Sequence, residues 1–136
     1  MFTRSCKYNR KAIMVYFVSG HRDITENEFK AYYEGKLERA YKQDRNAVFV
    51  LGNSPGLDTL AIEYFEKNNI FYKVYQYEDE LPSIKCGMLV KKFDDADERD
   101  AFLTRISDID IAYIRKGKED SCTAKNILRR HIMGVY

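Results

Sequence analysis

Apolar residues along this chain gather into short unbroken runs separated by longer stretches in which they recur every three or four positions. The runs at residues 12–18 and 47–51 are nearly continuous, as parallel strands covered on both faces should be. Residues 70–77 are β-branched and aromatic enough for a third strand, and 108–114 supply a fourth. Between them the period lengthens to that of a helix. Thr25 with Glu28 makes a capping box, and Phe29, Tyr32, Tyr33, Leu37, Ala40 and Tyr41 then form one stripe, which predicts a first helix from about 26 to 42. Ser54 as N-cap and Pro55 at the first helical position open a second, with Leu57, Leu60, Ala61, Tyr64 and Phe65 at helical spacing and Asn68-Asn69 as its stop. Asp94 or Asp95 caps a third helix, whose stripe of Phe102, Leu103 and Ile106 also carries Arg99. The last helix begins at Ser121-Cys122-Thr123 and is expected to turn Ala124, Ile127, Leu128 and His131 inward. Residues 78–93, with Pro82, Gly87 and the apolar piece Met88-Leu89-Val90, read as an irregular connection with room for a short strand or turn.

Strands alternating with helices predict an α/β fold: a single Rossmann-like domain over residues 12–136, its sheet mainly parallel with helices on both faces, behind a basic lead-in at 1–11. Right-handed crossovers give the strand order third, second, first, fourth, so the loops after strands one, two and four meet at the topological switch point. Those loops carry Gly20-His21-Arg22, residues 52–58 and residues 121–123. The middle one belongs to the stretch Gly-Asn-Ser-Pro-Gly-Leu-Asp-Thr-Leu-Ala, a strand running through a glycine turn into a helix. That arrangement aims backbone N–H groups and the positive end of a helix dipole at whatever lies above the sheet, which suits an anion.

Composition narrows the partners. The 136 residues, 45% hydrophobic, suffice for one core and not comfortably for two. Twenty-three basic and twenty-one acidic side chains leave a formal +2, with no overall field to draw nucleic acid or an anionic membrane. The three cysteines, Cys6, Cys86 and Cys122, are widely spaced and the histidines number two, so no zinc pattern arises and a reducing, cytoplasmic setting fits. No run is long enough to span a bilayer, and the apolar run after the basic lead-in ends without the small-residue site of a signal peptide.

The motifs at the three loops resemble the SLOG superfamily, in particular its small YspA/YpsA-like branch related to DprA and the LOG proteins. Gly20-His21-Arg22-Asp23 stands for that family's Gly-Ser-Arg-Asp turn, and Gly52-Asn53-Ser54-Pro55-Gly56-Leu57-Asp58-Thr59-Leu60-Ala61 for its glycine-rich turn with Gly-x-Asp-x-Leu-Ala. Glu98-Arg99-Asp100 matches an arginine-bearing helix start, and Ser121-Cys122-Thr123 the Ser-Gly-Thr opening of the last helix. The resemblance covers most of residues 12–130 and implies a Rossmann-like fold, homo-oligomerisation and a site for a nucleotide or nucleotide-derived molecule. Two departures bear on that site: Cys122 replaces a glycine and His21 a serine. The Pro-Gly-Gly-x-Gly-Thr-x-x-Glu motif with which LOG-type members cleave a base from a nucleotide is broken here. Pro55-Gly56 lacks the second glycine, Asp58 precedes Thr59, and Glu63 lies four residues beyond it.

The candidate ligand-binding residues are therefore Gly20, His21, Arg22, Gly52, Asn53, Ser54, Gly56, Asp58, Arg99, Ser121, Cys122 and Thr123, with no catalytic residue and no cofactor assigned. Arg22 at a strand end can hold a phosphate in two hydrogen bonds, or be an ordinary turn arginine. Arg99 on an apolar stripe needs an anionic partner, either a ligand or a carboxylate such as Asp110. Asp58 in a helix's first turn suits the dipole without any ligand, and would repel a phosphate placed on it. As a binding group it accepts from ribose hydroxyls or from a protonated or amide group. Cys122 sits where a helix start lowers a thiol pKa, though a lone cysteine without a paired base is more often inert. His131 reads as a core histidine. Three functions follow. The first is a sensor or binding module for a nucleoside phosphate or ADP-ribose-like ligand. The second is an enzyme acting on an N-glycosidic or phosphate bond, LOG-like or deoxyribosyltransferase-like, with Asp58 or Glu63 as its carboxylate. The weakest is DprA-like binding of single-stranded nucleic acid, against which the balanced charge stands.

Overall fold

A computed structural model describes residues 13–80 and 83–135, so the basic lead-in expected at 1–11 lies outside the described residues. Five strands form one sheet: β1 (Val15–Val18), β2 (Val48–Leu51), β3 (Tyr72–Gln76), β4 (Gly87–Lys92) and β5 (Ile109–Ile111). Their order is β4-β3-β2-β1-β5, and every neighbouring pair is parallel. The chain therefore walks outward from β1 to β4, then crosses back to place β5 on the far side of β1. The order of the four expected strands is as the crossover rule requires, and the reversal falls between β1 and β5.

Alternation along the strands loads both faces. Tyr16, Val18, Phe49, Leu51, Tyr72, Val74 and Ile111 pack on one face with Phe29, Tyr33, Leu37, Leu57, Ala61 and Phe65. Those last residues come from α1, which runs as Glu26–Phe29, a π-helical segment Lys30–Glu34 and Gly35–Gln43, and from α2 (Leu57–Lys67). Phe17, Val50 and Tyr75 point the other way, onto Leu103 and Phe102 of α3 (Ala96–Ile106). Helix α4 (Cys122–Val135) packs beside α3. The expected α1 boundaries, its capping box, the Asp95 cap of α3 and the left-handed Asn69 at the α2 stop (φ 57°) are all present.

Four expectations need correction. Helix α2 is not capped by Ser54, nor does Pro55 begin it; Gly56 is the N-cap, with φ 87° and ψ −117°. A side chain there would overlap the carbonyl groups of His21 and Arg22, so glycine is required by the close approach of the first loop. The fourth expected strand shortens to Ile109–Ile111. Residues 87–92, read as part of an irregular connection, form a full parallel strand on β3, seated by Glu66, whose carboxylate accepts from the backbone of Lys85 and Cys86 at 2.9 Å. Residues 88–92 are exposed, Met88, Leu89 and Val90 among them, so the alternation that marks a half-buried strand never appears. Finally, α4 turns polar residues inward: Thr123 and Asn126 are buried, while Leu128 is 57% exposed, Ile132 48%, and His131 is exposed. The cause lies in its neighbours. Asp100 accepts from Asn126 Nδ2 at 3.2 Å, and Asp110 and the Ser107 carbonyl accept from Arg130, so the inner face of α4 supplies donors.

Candidate functional site

At the carboxyl ends of β1, β2 and β5 a cavity of about 320 Å³ opens at the switch point. The loop after β1 lines it with Ser19, Gly20, His21, Arg22 and Asp23; the loop after β2 and the start of α2 with Gly52, Ser54 and Asp58. Ala96, Arg99 and Asp100 come from α3, and Lys118, Ser121, Cys122, Thr123 and Asn126 from the last loop and α4. All the expected residues except Asn53 and Gly56 are thus brought to one cavity. Asn53 does another job. Its Oδ1 accepts from the backbone of Tyr77 and Glu78 and its Nδ2 donates to the Glu78 and Glu80 carbonyls, tying the β2 exit to the β3 exit. Gly56 is the N-cap of α2, against which the first loop packs.

The floor is ionic. Arg99, 5% exposed, donates through Nε to Asp100 Oδ1 at 3.0 Å, not to Asp110, which pairs with Arg130 at 2.9 Å. Its guanidinium lies against Gly52, where any side chain would collide with it, which explains glycine at the end of β2. One guanidinium nitrogen, Nη1, is buried with no hydrogen-bond partner among the described residues, and so is Ser19 Oγ. Asp58 is buried too, and its Oδ2 accepts from the Ser54 backbone N–H at 3.1 Å. Burial pushes its carboxyl up to about 7; Arg99 and the Ser54 N–H pull against that, while the Asp100 charge adds to it.

Around this floor the walls are held by neutral and ionic ties. His21 Nε2 accepts from the Arg115 backbone N–H at 2.8 Å, and burial, then the nearby Arg115 charge, lower its pKa, so the ring is a neutral acceptor. Arg115 bonds Asp23 and Glu28, and with the Thr25 N–H it holds Glu28 at about 2. Tyr33 Oη donates to the Ser19 carbonyl at 2.7 Å and accepts from Tyr113 N–H at 2.9 Å, joining the exits of β1 and β5. At the mouth, Arg22 is exposed and pairs with Glu78 at 3.1 Å, Lys118 is exposed, and Ser121 Oγ caps α4 by accepting from the Ala124 N–H. Cys122 is exposed beside it.

Sequence reasoning missed Ser19, Asp100, Lys118, Asn126 and Tyr33. Tyr33 sits on an apolar stripe, and nothing in its spacing marks a hydroxyl between two backbones. Asn126 lies on the helix face expected to turn outward, opposite Ala124 and Leu128; its signal was the Asp100 it meets, legible only once α3 and α4 are neighbours. Among the described residues no group of three or more His, Cys, Asp or Glu is placed to hold a metal, and no helix is long and apolar enough to cross a membrane. Comparison with protein-family models, with curated proteins and with solved structures finds no match to this chain.

Proposed function

We propose that this cavity binds a nucleotide or nucleotide-derived small molecule, a nucleoside phosphate or an ADP-ribose-like ligand, and that the chain works as a sensor or binding module. The observation that carries the reading is Arg99: a buried guanidinium with one unpaired nitrogen on the wall of a cavity at the switch point of a parallel sheet. A buried polar group without a partner is costly, and a ligand acceptor removes that cost. The start of α4 and the exposed Arg22 and Lys118 add positive potential at the mouth. The loop motifs that resemble the SLOG superfamily support the same reading, and with it a homo-oligomer in a reducing, cytoplasmic setting.

A second reading, turnover at an N-glycosidic bond, is favoured by Asp58 alone, since a buried carboxyl poised near neutrality can give a proton to a departing base and a carboxylate can stabilise the sugar cation left behind. Calorimetry with a nucleotide panel, joined to product analysis, tests both. A ligand at a hundredfold excess over its dissociation constant should stabilise the chain by about 2.7 kcal/mol. Arg22→Ala should weaken binding and leave the apo melting point nearly unchanged, since its one ion pair is exposed. If no panel member shifts the transition, the reading fails; if a free base accumulates, the chain is an enzyme. A flat salt dependence of binding sets aside single-stranded nucleic acid.

A further inference from the structure

Resting on that nucleotide reading, we propose that the ligand enters sugar-first, its ribose diol on the floor between Arg99, Asp58 and Ser19 and its phosphate at the mouth on Lys118 and the first turn of α4. Charge decides the floor. Arg99 is the floor's cation, and two buried acidic side chains already lie beside it, Asp100 in a hydrogen bond and Asp58 as a carboxyl that ionises near 7. A phosphate brought down there would add negative charge beside both of them in a poorly solvated place, and phosphate oxygens only accept. The groups still open on the floor ask for something else. Arg99 Nη1 and Ser19 Oγ are buried and unpaired, the first needing an acceptor and the second able to do either, and Asp58 offers an acceptor oxygen and, while it keeps its proton, a donor. A vicinal diol presents donors and acceptors side by side and satisfies all three.

The two helix starts are also unequal. At α2, the Leu57 N–H already donates to the His21 carbonyl at 3.2 Å and the Ser54 N–H to Asp58, and the first loop packs on Gly56. The glycine-rich turn that suggested a phosphate cradle is therefore closed by its own neighbours. Helix α4, fourteen residues long, opens on the cavity through Ser121, Cys122 and Thr123, and the Ser121 N–H bonds the Lys118 carbonyl at 3.1 Å, which holds that lysine's loop against the helix start. Lys118 and an open helix start thus lie at the mouth, and hydroxyl-matching groups lie below them.

The test is calorimetry on the full chain with AMP, GMP, CMP and UMP, their 2′-deoxy and 3′-deoxy counterparts, and the four nucleosides. For whichever monophosphate binds, loss of a ribose hydroxyl should weaken binding roughly tenfold or more, because the floor's polar groups are then left unpaired. Asp58→Ala should bring ribo and deoxy forms together, with Asp58→Asn as the variant that keeps the Ser54 bond and the shape. Lys118→Ala should shrink the advantage of monophosphate over nucleoside while the ribo-to-deoxy ratio stands. Equal binding of ribo and deoxy forms, or discrimination by base alone, overturns the orientation and leaves nucleotide binding in place. Failure of all twelve monophosphates and all four nucleosides overturns the orientation, and failure of ADP-ribose added to the same panel overturns the nucleotide reading as well.

Discussion

Asp58 couples the cavity to pH. Its ordinary pKa is 3.8 and its folded one about 7, so between those values the native state keeps a proton that the unfolded chain has released. Stability from this residue is complete below about pH 4 and is lost as pH rises towards 7, because ionising the buried carboxyl opposes the fold. Asp58→Asn removes that slope. In urea titrations from pH 4 to pH 8 the variant should gain on the parent chain as pH rises and level off above 7; a constant difference would show that Asp58 is ionised throughout. The depressed carboxylates Asp23, Glu28 and Glu66 act with opposite sign at lower pH, and they cancel in the comparison. Gly52 makes a second residue-scale prediction. Gly52→Ala pushes a methyl group into the Arg99 guanidinium, which can yield only by leaving its place beside Asp100. The expected result is a folded protein, by circular dichroism, that no longer binds the nucleotide its parent binds.

Among the elements, α1 and α4 show opposite relations between pattern and placement. The capping box and stripe of α1 were legible because each depends on residues three or four apart: Thr25 Oγ1 takes the Glu28 N–H at 3.1 Å, and Phe29, Tyr33, Leu37 and Ala40 are all buried. What the stripe did not disclose is that a π-helical segment carries Tyr33 to a point where its hydroxyl bridges the exits of β1 and β5. Tyr33→Phe leaves the ring packed but orphans the Ser19 carbonyl and the Tyr113 N–H. The expected cost is about 1–3 kcal/mol, read as a lower urea midpoint with an unchanged slope. Any nucleotide that binds should also bind more weakly, since both cavity walls hang on that hydroxyl. A Phe variant as stable as the parent would mean the bridge contributes nothing. In α4 the apolar periodicity is real, but Leu128, His131 and Ile132 lie exposed, because α3 and β5 present carboxylates that only polar residues can satisfy.

At the scale of the whole molecule, β1 serves both cores at once: Tyr16 and Val18 on the α1 and α2 side, Phe17 on the α3 side. Neither layer can open without exposing the other, so unfolding should be one cooperative event. Tyrosine fluorescence and far-ultraviolet circular dichroism should give coincident urea transitions, with a slope of roughly 1–3 kcal/mol/M; separate midpoints would contradict this. The alternation of unbroken apolar runs with helical stripes determined by itself that the sheet is parallel and layered, and crossover handedness then put the loops after β1, β2 and β5 side by side. The caps of α1 and α3 were equally readable, since their physics is local, whereas that of α2 was not, because contact with the first loop sets it at Gly56. The edge strand β4 was not, because an uncovered strand has no inside to mark in its pattern. Nor were Arg99's partner, the closure of the α2 start or the inward face of α4. Each of these depends on which charged and hydrogen-bonding groups meet across elements far apart in the chain, and only the packed structure decides which buried donor finds which acceptor.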